Sequence, residues 1–219
     1  MTLEVKICGI TDAAALRVAR DHGAAMAGFI FYPRSPRSID PAAAGALAAA
    51  RGGLRAVGVG VDLDDDAWAA ILEAVPLDML QAHGGETPAR VADLRARFGL
   101  PVIKAVAIAG PEDIARAKTY EPVADHLLFD AKPPKDMPDA LPGGNARAFD
   151  WRLLAETQWN RPWLLSGGLN ADNLATAVAT AHAPGVDVSS GVEARPGVKD
   201  TAKIAAFLQH AATLRGPLS

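Results

Sequence analysis

The sequence predicts a single (β/α)8 barrel, of the TIM-barrel class, that spans residues 1–219. Short apolar runs typical of strands alternate with alanine-, leucine- and charge-rich stretches typical of helices, and this alternation implies parallel strands. There are eight such runs, the number that closes a barrel. The main alternative is an open doubly wound sheet, but the Gly-x-Gly-x-x-Gly fingerprint of a dinucleotide-binding sheet does not follow the first run. The unusual residues also follow the ends of predicted strands, where a barrel builds its active site.

The elements can be assigned in chain order from these runs. Strands are predicted at residues 3–8, 26–31, 55–61, 79–81, 102–106, 126–129, 163–165 and 186–188. Helices are predicted between most of them, at residues 12–21, 41–51, 65–74, 88–97 and 111–118. Alanine favours helix but suits core and surface alike, so helix boundaries are less sharply predicted than strand positions. The proline-rich stretch 132–142 is predicted to be a loop within the domain, because no composition break divides the chain.

Charge and cysteine content exclude several classes of partner. The formal net charge of −3 provides no general basic field, so neither nucleic acid nor an anionic membrane surface is expected to bind. The single cysteine cannot form an internal disulfide, and the N-terminus lacks the pattern of a signal peptide. The apolar runs fall far short of the roughly 18 residues that suggest a membrane span. We therefore expect a cytoplasmic protein that binds a small molecule and holds any anion locally.

Cys8 and Asp130 are the candidate catalytic residues. Cys8 ends the first strand and shares a face with Lys6, because side chains alternate along a strand. A lone cysteine is more often a small buried hydrophobe, and the alternative role of Asp130, after the sixth strand, is a helix N-cap or an arginine partner. If the strands close into a ring, however, the thiol and the carboxyl meet at the barrel mouth. They then form an acid–base pair suited to a phosphosugar.

Two glycine-containing turns predict a phosphate site. Gly167 and Gly168 follow the seventh strand, and Ser189, Ser190 and Gly191 follow the eighth. The loops after strands seven and eight are the usual phosphate site of a barrel. Glycines let backbone N–H groups approach an anion, and helix N-termini add positive charge. The alternative is two ordinary tight turns.

His83, after the fourth strand, is predicted to be a pocket residue that packs at the rim or hydrogen-bonds in the substrate pocket. No second histidine or cysteine lies at metal-ligand spacing from it, so no metal is expected.

The ordered motifs of the chain resemble those of the phosphoribosylanthranilate isomerase family over essentially its whole length. They lie at residues 6–11, 28–32, 35–38, 57–59, 81–84, 149–151, 166–169 and 185–193. The resemblance implies an isomerase of tryptophan biosynthesis that needs no cofactor or metal. Its reaction is the Amadori rearrangement of N-(5′-phosphoribosyl)anthranilate to 1-(o-carboxyphenylamino)-1-deoxyribulose 5-phosphate.

The resemblance also implies roles for individual residues. Asp130 matches the general acid that protonates the furanose ring oxygen, and Cys8 matches the base that removes the C2′ proton as a thiolate. Arg37 matches the arginine that grips the anthranilate carboxylate through bidentate hydrogen bonds. We expect Lys6 or nearby helix N-termini to raise the thiolate fraction of Cys8 above that of free cysteine.

Two other functions remain open. The related isomerase of histidine biosynthesis has an aspartate at the ends of strands one and five, whereas here Cys8 ends strand one. A noncatalytic phosphosugar-binding barrel would need neither Cys8 nor Asp130. Dimerisation through a barrel face is compatible with the sequence. Asn145 and Ala146 depart from the family pattern in a loop that we expect to cover the substrate.

Overall fold

The structure is a computed structural model that describes residues 2–132 and 149–214. The main sheet has eight strands: β1 Glu4–Cys8, β2 Met26–Ile30, β3 Arg55–Gly60, β4 Met79–Ala82, β5 Val102–Ile108, β6 His126–Ala131, β7 Trp163–Leu165 and β8 Gly185–Val188. Each strand pairs with the next in parallel, and β8 pairs in parallel with β1, so the sheet closes into a barrel. The predicted fold class is confirmed. That residues 1–219 form one domain stays a prediction.

Eight helices lie in the described part of the chain. They are α1 Ala13–Asp21, α2 Pro41–Ala49, α3 Asp65–Ala74, α4 Pro88–Phe98, α5 Pro111–Lys118, α6 Arg152–Ala155, α7 Leu174–Ala181 and α8 Thr201–Thr213. The five helices predicted from sequence are present, with ends within two residues of the predicted ones. None of the helices in these ranges is long and apolar enough to cross a membrane. Most of the predicted loop at residues 132–142, and the departures at Asn145 and Ala146, lie outside the described residues.

Local sequence explains where these helices begin. The side chains of Asp12, Asp40 and Asp64 accept hydrogen bonds from backbone N–H groups in the first turns of α1, α2 and α3. Such caps satisfy N–H groups that have no partner within the helix, each stabilising it by about 1 kcal/mol. α2, α4 and α5 also start with proline, whose fixed backbone angle suits the first helical position.

The barrel interior divides into an apolar lower part and a polar upper part. A separate cluster of buried apolar side chains fills the lower part, comprising Met26, Val57, Met79, Ile103, Ala105, Leu128 and Leu164. Two residues further along β4 and β6, and just past the end of β7, the same inward face carries Gln81, Asp130 and Ser166, all buried. Because side chains alternate along a strand, this pattern aims polar groups at the carboxyl end of the barrel.

A short antiparallel hairpin follows β8. A 3₁₀ turn at Ser190–Val192 leads into β9 Glu193–Arg195, which pairs with β10 Val198–Lys199 before α8 begins. This hairpin was not predicted from the sequence. It brings Glu193 and Lys199 back over the barrel mouth, where both are buried.

We predict that Gly45→Ala lowers the free energy of unfolding. Helix propensity alone would make this change in α2 stabilising by about 1 kcal/mol. A Cβ at Gly45, however, would overlap the backbone carbonyl of Ala74 at the end of α3. Overpacking of this kind costs about 1–3 kcal/mol, so the clash should decide the sign.

The measurement is urea unfolding of wild type and variant. Ala46→Gly, at the exposed neighbouring position of α2, calibrates the propensity effect in the same helix. A Gly45→Ala protein more stable than wild type would contradict the predicted contact between α2 and α3.

Candidate active site

A cleft opens at the carboxyl ends of the barrel strands. The structure brings nearly all of the predicted site residues to its wall: Cys8, Arg37, His83, Asp130, Gly167, Gly168, Ser189 and Ser190. Gly191 lies behind the wall, where a side chain would overlap the carbonyl oxygen of Leu169. The absence of a side chain there lets the loops after β7 and β8 pack directly against each other.

A buried ion pair lies below Cys8. Lys6 is fully buried, and its Nζ donates a hydrogen bond to Asp187 Oδ1 at 2.7 Å. These two residues are register partners on β1 and β8, the strands that close the barrel. Asp187 Oδ2 accepts a hydrogen bond of 3.2 Å from Ser166 Oγ. Gly28 on β2 leaves space for this arrangement, since a Cβ there would lie 3.0 Å from Lys6 Nζ and 3.1 Å from Cys8 Sγ.

The charges of this group act on one another. Burial by itself would lower the pKa of Lys6, but the neighbouring Asp187 carboxylate and the ionised form of Cys8 raise it to about 12. Burial raises the pKa of the Cys8 thiol, and the nearby Lys6 and Lys199 ammonium groups offset only part of this effect. The expectation that Lys6 raises the thiolate fraction of Cys8 above that of free cysteine is therefore wrong. Lys6 acts in the expected direction, but desolvation outweighs it.

Arg37 is held at the cleft by the hairpin after β8. Its Nε and Nη2 donate hydrogen bonds to the two carboxylate oxygens of Glu193, at 2.7 and 3.0 Å. Glu193 Oε1 also accepts a hydrogen bond from Lys199 Nζ at 2.9 Å. Although burial would raise the pKa of Glu193, the hydrogen bonds from Arg37 and Lys199 lower it overall. Arg37 is thus a buried, oriented guanidinium rather than a solvated loop charge.

Asp130 lies at the end of β6 and is buried. Its Oδ1 accepts a hydrogen bond from the backbone N–H of Ala131 at 2.8 Å. Its Oδ2 lies 3.6 Å from Nε2 of His83, and Nδ1 of His83 lies 2.7 Å from the side-chain nitrogen of Gln81. Among residues 2–132 and 149–214, Asp130 therefore neither caps a helix nor forms an ion pair with an arginine.

The two glycine turns line one side of the cleft. Gly167 and Gly168 have φ angles of +93° and +66°, which a residue with a side chain rarely adopts. The Ser189 hydroxyl donates its hydrogen to the carbonyl oxygen of Cys8 at 3.1 Å, and Lys199 Nζ donates to the Ser189 carbonyl at 2.9 Å. Ser189 therefore ties the loop after β8 to the end of β1, and its hydroxyl hydrogen is already used.

Across residues 2–132 and 149–214, no group of three or more His, Cys, Asp or Glu side chains is arranged to hold a metal ion. Cys8 instead lies near the ammonium groups of Lys6 and Lys199, whereas Asp130 is bonded to the backbone N–H of Ala131 and faces His83.

Residues 5–210 match the model of the family described as N-(5′-phosphoribosyl)anthranilate (PRA) isomerase. A relative of that name from Paracoccus denitrificans is 55% identical over 212 residues, which cover 96% of this chain and 98% of the relative. The chain belongs to the PRA isomerase family.

Solved PRA isomerase structures share the architecture over the whole chain. The enzyme from Thermotoga maritima superposes with a TM-score of 0.86 at 34% identity, covering 97% of this chain and 100% of that one. Another PRA isomerase structure, in complex with reduced 1-(o-carboxyphenylamino)-1-deoxyribulose 5-phosphate, has a TM-score of 0.82 at 33% identity, with coverages of 97% and 100%.

Three buried residues that contact the site were not predicted from the sequence: Asp187, Glu193 and Lys199. Asp187 carries a detectable signal, because it is a charged residue within the apolar eighth strand on the face that leads to Ser189. Glu193 and Lys199 gave no comparable signal, since their link to Arg37 depends on a hairpin and on contacts between distant parts of the chain.

We predict that the thiol of Cys8 ionises only above the pH at which free cysteine does. Burial raises its pKa, so at any given pH below that value less thiolate is present than in an unstructured peptide. Ultraviolet absorbance of the thiolate, measured against pH as the difference between wild type and Cys8→Ser, follows this residue alone because the chain has one cysteine.

The same chain unfolded in denaturant provides the control and should titrate near the ordinary value of about 8.5. A folded-state midpoint at or below the unfolded one would contradict the prediction.

Proposed function

We propose that Cys8 and Asp130 are the base and the acid of the isomerase reaction of this chain. The chain is a PRA isomerase of tryptophan biosynthesis, which converts N-(5′-phosphoribosyl)anthranilate to 1-(o-carboxyphenylamino)-1-deoxyribulose 5-phosphate. The observation that carries the residue assignment is that both groups line one cleft whose rim holds an oriented arginine and two glycine turns. No metal or cofactor is part of the proposal.

Asp130 acts first, as a general acid. Its carboxyl proton passes to the furanose ring oxygen, the bond between C1′ and that oxygen breaks, and the electron pair of the nitrogen forms a protonated Schiff base. Asp130 must carry a proton at this moment. The Ala131 N–H bonded to Oδ1 then stabilises the carboxylate that remains.

Cys8 acts second, as a general base. The cationic Schiff base acidifies the C2′ proton, and the thiolate removes it to give an enolamine that tautomerises to the ketone. Burial raises the pKa of Cys8, and the positive charges of Lys6 and of the Schiff base together oppose this effect and favour the thiolate when substrate is bound. The substrate thereby helps to ionise its own base.

Arg37 binds the anthranilate carboxylate in this proposal. A guanidinium has five N–H donors in a planar fork, and the bond to Glu193 uses Nε and one hydrogen of Nη2. Arg37 lines the cleft, and we assign the remaining edge of its guanidinium to a second carboxylate. Glu193 fixes the plane of the guanidinium before the substrate arrives, so little conformational entropy is lost on binding.

The phosphate binds to the two glycine turns. Gly167, Gly168 and Ser190 offer backbone N–H groups, and Ser190 adds its hydroxyl. Gly191 contributes indirectly, because its lack of a side chain lets the two turns pack against each other. Because the hydroxyl hydrogen of Ser189 is donated to Cys8, we assign only the backbone N–H of Ser189 to the phosphate. Such oriented N–H groups bind an anion without requiring a basic surface.

The two alternative functions are less well supported. A noncatalytic phosphosugar-binding barrel would have no need for a thiol and a carboxyl in the same cleft. An isomerase of the histidine-pathway type would need an aspartate at the end of β5, but the inward positions of β5 hold Ile103, Ala105 and Ala107.

His83 lines the same cleft, and we propose that it is a pocket residue.

We further propose a phosphosugar substrate as the binding partner, the cytoplasm as the location, and a homodimer as the assembly. The dimer is suggested by a T. maritima PRA isomerase that is described as dimeric. The family and the two glycine turns at the cleft support the phosphosugar substrate, and a single cysteine, which cannot form an internal disulfide, is in keeping with the cytoplasm.

Cys8→Ser and Asp130→Asn should each lower turnover by about two to four orders of magnitude, the range typical of general acid–base groups. Turnover is followed by the loss of anthranilate-type fluorescence from freshly generated substrate, with excess chelator present. Both variants should keep the fold and the affinity for the reduced product analogue, because neither change touches the phosphate turns or Arg37. Wild-type turnover in either variant would refute the role assigned to that residue.

Arg37→Lys should raise KM for N-(5′-phosphoribosyl)anthranilate by about 10- to 100-fold, as expected for a lost charged hydrogen bond. Lysine keeps a positive charge beside the buried Glu193, so the loop is disturbed as little as possible. The matched control is N-(5′-phosphoribosyl)aniline, which lacks the carboxylate. Wild type and variant should have similar KM values for it, and an equal loss on both substrates would show that Arg37 does not bind the carboxylate.

A further inference from the structure

Gln81 and His83 form a hydrogen-bonded pair on β4 and its following loop, beside Asp130. Gln81 is fully buried, and its side-chain nitrogen lies 2.7 Å from Nδ1 of His83. In this orientation of the Gln81 amide, its nitrogen donates and Nδ1 of His83 is the acceptor, while the amide oxygen has no hydrogen-bond partner among the described residues. The single hydrogen of the neutral imidazole therefore lies on Nε2.

This Nε2 faces Asp130. It is buried, has no hydrogen-bond partner among the described residues, and lies 3.6 Å from Asp130 Oδ2. That distance is too long for a hydrogen bond, but a movement of about half an ångström would form one, and catalytic hydrogen bonds often tighten only when substrate is bound. The other oxygen of Asp130 is already occupied by the Ala131 N–H.

We propose that Gln81 and His83 are positioning residues for Asp130: Gln81 fixes the hydrogen of His83 on Nε2, and this N–H stabilises the carboxylate that Asp130 becomes. The inference rests on the proposed function only in that Asp130 is the acid. Because Ala131 occupies Oδ1 and the N–H of His83 faces Oδ2, the transferable proton of Asp130 lies on Oδ2 and points into the cleft. When it passes to the ring oxygen, the O–H electron pair stays on Oδ2. His83 itself neither gains nor loses a proton.

The first test determines the position of the hydrogen on His83. Nitrogen-15 NMR of histidine-labelled enzyme without ligand distinguishes a protonated from an unprotonated ring nitrogen. The signals of His83 are assigned by their loss in His83→Gln. We expect a protonated Nε2 and an unprotonated Nδ1. In Gln81→Glu the carboxylate can accept a hydrogen bond, so the hydrogen should move to Nδ1, and Gln81→Met provides a second variant if a buried glutamate prevents folding.

The second test measures turnover. His83→Leu should lower kcat by about 10- to 100-fold, as expected for the loss of one hydrogen bond to a charged group, with little change in KM. His83→Gln, whose amide can place an N–H near the position of Nε2, should recover most of the lost kcat. His22→Gln, at the exposed end of α1, is the control for histidine replacement and should match wild type.

The third test shows whether His83 acts through Asp130. In an Asp130→Asn background, His83→Leu should leave the residual kcat unchanged within about twofold, because residues acting through one group are not additive. An unprotonated Nε2 in the wild-type enzyme, an unchanged kcat in His83→Leu, or an additive loss in the double variant would each overturn the inference. These outcomes are distinct from failure of the proposed function, which wild-type turnover in Asp130→Asn alone would reveal.

Discussion

The buried ion pair between Lys6 and Asp187 is the interaction on which the rest of the site depends. It joins β1 to β8 across the closing seam of the barrel, between residues 181 positions apart in the chain. Removing one partner would leave an uncompensated buried charge, at a cost of about 3–5 kcal/mol. Cys8 lies beside Lys6, and Ser166 bonds to Asp187. Barrel closure and the electrostatic environment of the thiol are therefore set by the same two side chains.

Cys8 and Asp130 lie in different surroundings, and this difference suits the opposite tasks that we propose for them. Cys8 is influenced by Lys6 and Lys199, whose positive charges favour its ionised form against the effect of burial. Asp130 is hydrogen-bonded to a backbone N–H and faces the imidazole of His83. In the described part of the chain, no lysine or arginine forms an ion pair with it. Residues at the ends of β1 and β6 can thus take the proposed roles of base and acid in one cleft.

Much of this arrangement could be predicted from sequence, because strand positions follow from local apolar runs and the ends of parallel strands meet on one rim. Cys8 and Asp130 were found in this way. The clamp of Glu193 on Arg37 could not be predicted, since it joins residues 156 positions apart through a hairpin of very short strands. The direction of the pKa change at Cys8 was also beyond prediction, because it depends on how burial compares with the charge of Lys6. Only the three-dimensional structure fixes both quantities.

The position of the thiol on the first strand has a consequence for protein synthesis. β1 leaves the ribosome before β8, but the groups that enclose it belong to β8 and the following hairpin: Asp187 pairs with Lys6, and Ser189 bonds to the Cys8 carbonyl. Until β8 and the hairpin have been translated, no contact from them can cover Cys8 or neutralise Lys6. A nascent chain therefore carries its thiol uncovered by this segment while β2 to β7 are made, and Cys8 is enclosed by its final partners only when the barrel can close.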